Sequence, residues 1–289
     1  MIKAKRLFLF FFCFIAPGIL LHAQQQDTQE ETKTLNEILE KTGKYCGRLK
    51  KVVFDFVCHE NITEKTYFYE AKRPKVNVDG IGERLLIKDL KFKRAKTKTY
   101  HYDYQMVKKG NEGFEKRILL REDKKKKHQE NAQLKLQRFA AKYLIYGPVG
   151  FLSEYWQDYF DYKIVGEETV EGRNAIVIEI LPNSHREENY SFGTVWADKV
   201  DHSILKIEWD QRSIKDIKHT VESRAGELKR MVVWGALYGV EKNGIRFPSR
   251  QYIEETYLSP SGTKYTKYKV DILYDNYKFF IVETEVKIR

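Results

Sequence analysis

The chain predicts an α+β protein that is mainly antiparallel β. Two observations lead to this class. From about residue 161 onward, eight successive segments have strand-like composition, and short turns with Gly, Asn, Asp or Ser separate most of them. Only two well-formed helical patterns precede them, at residues 34–49 and 151–160. A sheet of this size must close on itself or cover its edges and its apolar face.

At the N-terminus Lys3, Lys5 and Arg6 form a basic start, an apolar run extends from Leu7 to Leu21, and Leu21-His22-Ala23 offers a cleavage site before Gln24. This three-part order predicts a secretory signal peptide over residues 1–23. The apolar run is shorter than the ~20 residues that span a bilayer. The signal carries three basic residues and no acid, so the net charge of +11 falls to +8 on cleavage. An anionic membrane surface would account for the basic excess, and so would solubility alone. Residues 24–33 are polar without apolar period, which predicts a disordered mature N-terminus. One domain is expected over residues 34–289.

Thr34 reads as a helix N-cap, with Glu37 completing a capping box. Leu35, Ile38, Leu39, Thr42, Tyr45, Cys46 and Leu49 follow at helical spacing. A β-prone run at 52–58 comes next. Cys46 and Cys58 are the two cysteines left after cleavage, and an even pair in an oxidising compartment predicts a disulfide that fastens the helix to the sheet. Residues 71–95 are rich in Lys and Arg and predict an irregular connection with an edge strand near 85–90. Segments 97–108 and 114–121 alternate around Gly110-Asn111-Glu112-Gly113 and predict a hairpin. The run Lys124 to Lys127 reads as a solvated loop or as a docking patch for acidic lipid or a partner protein. Gly147-Pro148-Val149-Gly150 reads as a breaker before a helix at 151–160, whose Phe151, Leu152, Tyr155, Trp156 and Tyr159 share one face. That helix either plugs the core or lines a cavity.

The eight strand segments are 161–169, 173–182, 190–198, 203–210, 228–241, 245–258, 263–274 and 279–288. Phe192, Thr194 and Trp196 share one face by alternation, Leu205, Ile207 and Trp209 another, and Val232, Trp234, Ala236, Tyr238 and Val240 a third. Residues 212–224 break the rhythm as a polar loop. Asn243-Gly244 is the strongest hairpin turn in the chain.

Catalytic signals are missing. His59-Glu60 opens like a metalloprotease motif, but position 63 is Thr63. The sequence carries no GxSxG elbow, no P-loop and no dinucleotide fingerprint. Asp198 and Asp201 lie between two strands and read as a turn. The expectation is a non-catalytic protein with no metal and no cofactor. Export also argues against nucleic acid as the partner of the basic and aromatic residues.

The order of elements, with Gly193-Thr194-Val195-Trp196-Ala197-Asp198, Ser203-Ile204-Leu205-Lys206-Ile207-Glu208, Gly244-Ile245-Arg246-Phe247-Pro248-Ser249-Arg250 and Tyr277-Lys278-Phe279-Phe280-Ile281-Val282, resembles the LolA-like family of outer-membrane lipoprotein-sorting proteins. The resemblance implies a periplasmic half-barrel: a strongly curved open barrel with helices on its concave face and an apolar cavity for lipid or lipoprotein acyl chains. Envelope proteins or the membrane surface would be further partners. On that scaffold Trp196, Leu205, Ile207, Trp234 and Tyr238 are expected on the concave face, with Phe151, Tyr155 and Trp156 from the helix opposite. A sensor or interaction module on the same scaffold is the alternative.

Overall fold

Alternating burial along long strands organises this chain. The structure, a computed structural model, describes residues 18–71, 90–109, 112–136, 144–183, 191–214 and 228–280. Its elements run α1 Gly18–Val52, β1 Phe56–Ala71, β2 Leu90–Lys109, β3 Glu112–Glu122, β4 Lys125–Gln129, a 3-10 turn Leu144–Tyr146, α2 Gly147–Leu152, α3 Glu154–Gln157, β5 Phe160–Val170, β6 Arg173–Pro182, β7 Gly193–Asp198, β8 Ile204–Trp209, β9 Lys229–Leu237, β10 Val240–Lys242, β11 Ile245–Phe247, β12 Arg250–Leu258 and β13 Lys264–Phe279. Eleven of these strands form one antiparallel sheet in the order β4-β3-β2-β1-β13-β12-β9-β8-β7-β6-β5, while β10 and β11 pair only with each other. The predicted C-terminal ladder is therefore one part of a larger sheet, completed by four strands from the first half of the chain.

The sheet is open, and β4 and β5 are its edges. Every residue of β4 is exposed, so the lysine run forms an edge strand. Lysines there deter pairing with another chain. One face of the sheet carries the main core. Phe56, Cys58, Ile62, Tyr102, Tyr104, Ile178, Ile180, Val195, Ile207, Ala236, Ile253, Val270 and Ile272 lie in one buried cluster with Tyr45, Cys46 and Leu49 of α1 and Val149, Phe151 and Leu152 of α2. A second, small cluster holds Val170, Ala175, Val177, Trp196 and Leu205.

Several elements differ from expectation. α1 starts at Gly18, well before Thr34, so residues 24–33 are helical. Gln, Glu and Lys dominate that stretch without Pro or Gly, and these straight-chain residues let a packed helix propagate backward. The Gly147-Pro148 pair belongs to the first turn of α2. Proline fits there because its missing N–H would be unpaired anyway. The single helix expected at 151–160 is two short ones, since Ser153 is extended at φ −65° and ψ 147°. The expected strands 228–241 and 245–258 each divide, at Tyr238-Gly239 and at Pro248-Ser249. Pro248 has no N–H for a ladder, and Gly239 N–H donates to Ser249 Oγ at 3.0 Å. Asn243 and Gly244 between the halves have φ of 53° and 72°, the two positive values a two-residue hairpin turn requires. β13 runs on to Phe279, through the expected break after residue 274. The signal residues 1–17, most of the edge strand at 85–90, the turn residues 110–111, most of the polar loop at 212–224 and the last residues of the final strand lie outside the described residues.

The expected disulfide is not formed: Cys46 and Cys58 are free and buried. The helix that carries Cys46 packs on α2, and its Sγ donates to Pro148 O at 3.3 Å. Cys58 sits on β1 beside Tyr104 of β2. Burial pushes both thiols well above their ordinary pKa, which makes them poor nucleophiles. In the chain lacking residues 1–23, a thiol reagent should therefore label neither cysteine natively and both after denaturation, and dithiothreitol should leave the melting temperature unchanged. A fall in melting temperature on reduction would show that the two are bridged.

Candidate functional site

The expected site residues separate into three groups. Phe151, Ile207, Trp234 and Tyr238 come together on the core face. Phe151 meets Trp209 at 6.5 Å between ring centroids, and Trp209 stacks on Trp234 at 4.6 Å. The Tyr238 hydroxyl donates to Leu144 O at 2.9 Å. The start of α2 is so close to the sheet that a Cβ on Gly147 would lie 2.7 Å from Tyr238 Oη and 3.2 Å from Ile207 Cδ1. At this end of the sheet the protein's own segment 144–152 occupies the space over Ile207 and Tyr238.

Tyr155 and Trp156 form the second group, at the rim. With Tyr159 they make an aromatic triad with centroid separations of 5.1, 5.6 and 5.4 Å. Tyr155 is 67% exposed. Gln157 ties this corner to α1 by donating to Leu39 O at 2.8 Å.

Trp196 and Leu205 form the third group, on the opposite face. The β7–β8 register pairs Val195 with Ile207, Trp196 with Lys206 and Ala197 with Ile204, which leaves Leu205 as the extra residue of a bulge. A bulge breaks the period-two count, so Leu205 leaves the face of Ile207 and packs beside Trp196. Trp196 donates from Nε1 to Glu168 Oε2 at 2.8 Å, and the Lys206 ammonium lies 4.0 Å above its ring.

The core face also buries charge. Glu60 is fully buried and accepts two hydrogen bonds from Arg117, at 2.6 Å from Nε and 2.9 Å from Nη2. Tyr274 donates to the same carboxylate at 3.1 Å, and Arg117 also reaches Glu115 at 3.0 Å. These carboxylates hold the Arg117 guanidinium above its ordinary pKa against the cost of burial. Glu64 accepts from Tyr268 at 2.6 Å, and Glu255 from Arg230 at 2.9 Å. Sequence alternation holds a trace of this band, because Glu60 and Glu64 share the parity of Phe56, Cys58 and Ile62. These carboxylates are already engaged by arginine or tyrosine.

The opposite face of β1, β2 and β13 brings together two histidines that no sequence spacing links. Register sets His59 between Asp103 and Asp275, and Asn61 beside His101. His59 lies 3.6 Å from Asp103 and 3.4 Å from Asp275, its ring is 4.7 Å from that of His101, and His101 Nδ1 contacts Asn61 Oδ1. Among the described residues no group of three or more His, Cys, Asp or Glu is arranged to hold a metal ion. A cleft of about 180 Å³ between Glu179, Thr194, Glu208, Trp209 and Asp210 is acidic and small. No described helix is long and apolar enough to cross a membrane.

No protein-family model matches the chain, and no curated protein matches it. Among solved structures it is similar to a DUF1329 family protein from Desulfovibrio piger, with 12% identity, a TM-score of 0.39 and coverage of 85% of this chain and 95% of that one. It is also similar to an outer membrane lipoprotein-sorting protein domain from Vibrio parahaemolyticus, with 9% identity, a TM-score of 0.38 and coverage of 86% and 95%. A LolA superfamily protein from Nitrosomonas europaea matches with 11% identity, a TM-score of 0.32 and coverage of 86% and 94%.

Removing Arg117 leaves Glu60 buried without its cation. Arg117→Ala should lower unfolding free energy by about 3–5 kcal/mol, as read by urea denaturation. The double replacement Glu60→Leu with Arg117→Met should recover most of that loss. A double variant as unstable as the single one would refute the buried-charge explanation.

A second prediction concerns pH. Burial, then the neighbouring His59, holds the His101 imidazole below the usual histidine range, against the opposite pull of Asp103 and Asp275. Because the folded-state pKa is depressed, the unfolded chain takes up this proton first as pH falls. His101 therefore withdraws stability from about pH 6.5 downward, until its own lowered pKa is passed. His101→Gln should flatten the stability profile in that window and leave it little changed near pH 8. Equal acid sensitivity in both proteins would count against the assignment.

Proposed function

We propose that the chain is an exported, non-catalytic envelope protein that binds the acyl part of a lipid or lipoprotein, with α2 and α3 as its lid. One observation carries this reading: an aromatic track leads from the surface into the core. It starts at Tyr155, Trp156 and Tyr159 and continues through the adjoining, buried Phe160. Phe160 meets Phe151 at 6.1 Å, Phe151 meets Trp209, and Trp209 stacks on Trp234. Export rests on the signal pattern of residues 1–23, with the periplasm as its destination.

Magnitudes favour a lid that lifts. The side-chain hydrogen bonds that tie the 144–157 segment to the rest of the protein include Tyr238 to Leu144 O, Tyr162 to Phe151 O, Gln157 to Leu39 O, Cys46 to Pro148 O and, at the rim, Tyr159 to Tyr155 Oη. Each contributes about 1 kcal/mol net. An acyl chain gains about 0.8 kcal/mol per buried methylene, so about ten methylenes outweigh these bonds. The apolar surface vacated by Phe151 and Leu152 is covered by the chain that replaces them. Trp196 and Leu205, on the opposite face, take no part.

The close seating of α2 on Ile207 and Tyr238 supports a second reading, a sensor or interaction module whose interior stays shut. Extraction of the purified protein into organic solvent, with mass spectrometry of the extract, separates the two. The acyl-binding reading expects co-purified lipid, displacement of a fluorescent fatty-acid probe, and weaker probe binding in Phe151→Ala and Trp156→Ala. Neither lipid nor probe binding would leave only the shut module. The intact mass should also begin at Gln24 if the signal is removed.

A further inference from the structure

Beyond Glu64 on β1 and Tyr100 on β2, the two strands leave the core while still paired. No side chain of β1 from Lys65 to Glu70, nor of β2 from Leu90 to Thr99, is buried. The register continues through Ala71 opposite Leu90. At about 3.3 Å per residue, the nine residues Leu90 to Lys98 make an arm of roughly 30 Å. The start of β13 runs alongside, with Tyr69 donating to Thr266 O at 2.9 Å.

This arm is strongly basic. Residues 65–71, 90–98 and 264–269 hold nine basic side chains against one acid, Glu70. Glu70 is engaged by Lys93 at 3.2 Å. Aromatic rings interleave with the cations. Tyr69 meets Phe92 at 6.0 Å and Tyr265 at 5.6 Å. The Lys65 ammonium lies 5.1 Å from the Tyr67 ring, and Phe68 has Arg94 at 4.9 Å and Lys267 at 5.6 Å. Phe92 is 53% exposed. At the base of the arm Asp123 N–H donates to Thr99 O, and Thr99 N–H returns the bond to Asp123 Oδ1, each at 2.8 Å. That reciprocal pair brings the Lys124–Lys127 run to the end of the sheet where Lys96 and Lys98 emerge.

We propose that the arm, with the Lys124–Lys127 run at its base, is a docking surface for an anionic lipid bilayer. The residue chemistry selects lipid over an acidic protein. Eight of the nine arm cations are lysines, point charges suited to a diffuse headgroup field. Bidentate recognition of protein carboxylates favours arginine, and the single Arg94 lies against Phe68. The aromatic rings and the lysine stems match the boundary between headgroups and acyl chains, where amphipathic side chains place an apolar body inward and a polar tip in water. The inference deepens the lipid-binding reading by naming the surface at which the protein works, and it does not depend on what the interior holds.

The test is co-sedimentation of the full mature chain with vesicles of phosphatidylcholine alone or with about a third phosphatidylglycerol. Binding is expected only to the anionic vesicles, and it should weaken as salt shortens the screening length. Lys91→Ser, Lys96→Ser and Lys264→Ser together should weaken it on the order of a hundredfold, at roughly fivefold per lysine. Phe92→Ser should weaken binding while leaving its salt dependence in place. Circular dichroism establishes that each variant is folded. Equal binding to neutral vesicles, a triple variant that binds like the parent, or capture by polyglutamate without vesicle binding would each overturn the proposal. Co-purified lipid in the triple variant reports separately on the interior, so failure of the arm and failure of the acyl site are distinguishable.

Discussion

Pairing of β13 with β1 is the constraint on which the rest of the structure depends. It joins a strand near the end of the chain to the first strand, from Phe56 opposite Phe279 to Thr66 opposite Tyr268. Without it the sheet would divide into two smaller ones with two more open edges. Because side chains alternate with period two, this single register also decides what the core contains. It sets Ile62 beside Ile272 and Glu60 beside Tyr274. The opposite parity carries His59 and Asn61, and the same pairing brings them to Asp275. A slip of one residue would exchange the buried carboxylates for the histidine cluster.

The two ends of the core face are built differently, and the difference bears on function. Over β8 and β9 the face is aromatic and aliphatic, and α2 covers it so closely that a Cβ at position 147 would displace the Tyr238 hydroxyl. Over β1, β2 and β3 it is a network of Glu60, Arg117, Glu115, Tyr104 and Tyr274. A buried ion pair of this kind adds little net stability over an apolar core, but breaking it costs several kcal/mol. On the proposed acyl-binding reading, the aromatic end is where the ligand would replace the protein's own side chains. The polar end ties β1 to β3 and β13 through Glu60, Arg117 and Tyr274.

Much of this was legible in the sequence, and the failures have specific causes. The strand at 173–182 and the Asn243-Gly244 turn follow from composition and from the positive φ values that such turns need. Alternation sets Trp234 and Tyr238 on one face, and they lie with Ile207 on the core face. Leu205 leaves that face because the bulge in β8 inserts one residue, of which local patterning carries no sign, and Trp196 leaves it because the β7–β8 register sets it beside Lys206. Compartment and number alone pair the cysteines, and the structure leaves both free. Packing set Cys46 against α2 and Cys58 against β2.

By itself the sequence determined the class of the protein: a large antiparallel sheet with few helices, no catalytic motif, and a basic chain rich in aromatic residues. These properties are local, resting on strand propensity, turn chemistry and period-two patterning. Only the tertiary structure decided which strands join in one sheet, which acids are buried, and that the lysines of residues 91–98, 124–127 and 264–269 gather at one end. Those outcomes depend on long-range register, and each of the contacting residues reads locally as an ordinary strand residue. The interior is likewise a tertiary matter, since helical spacing at 151–160 reads the same for a plug and for a lid.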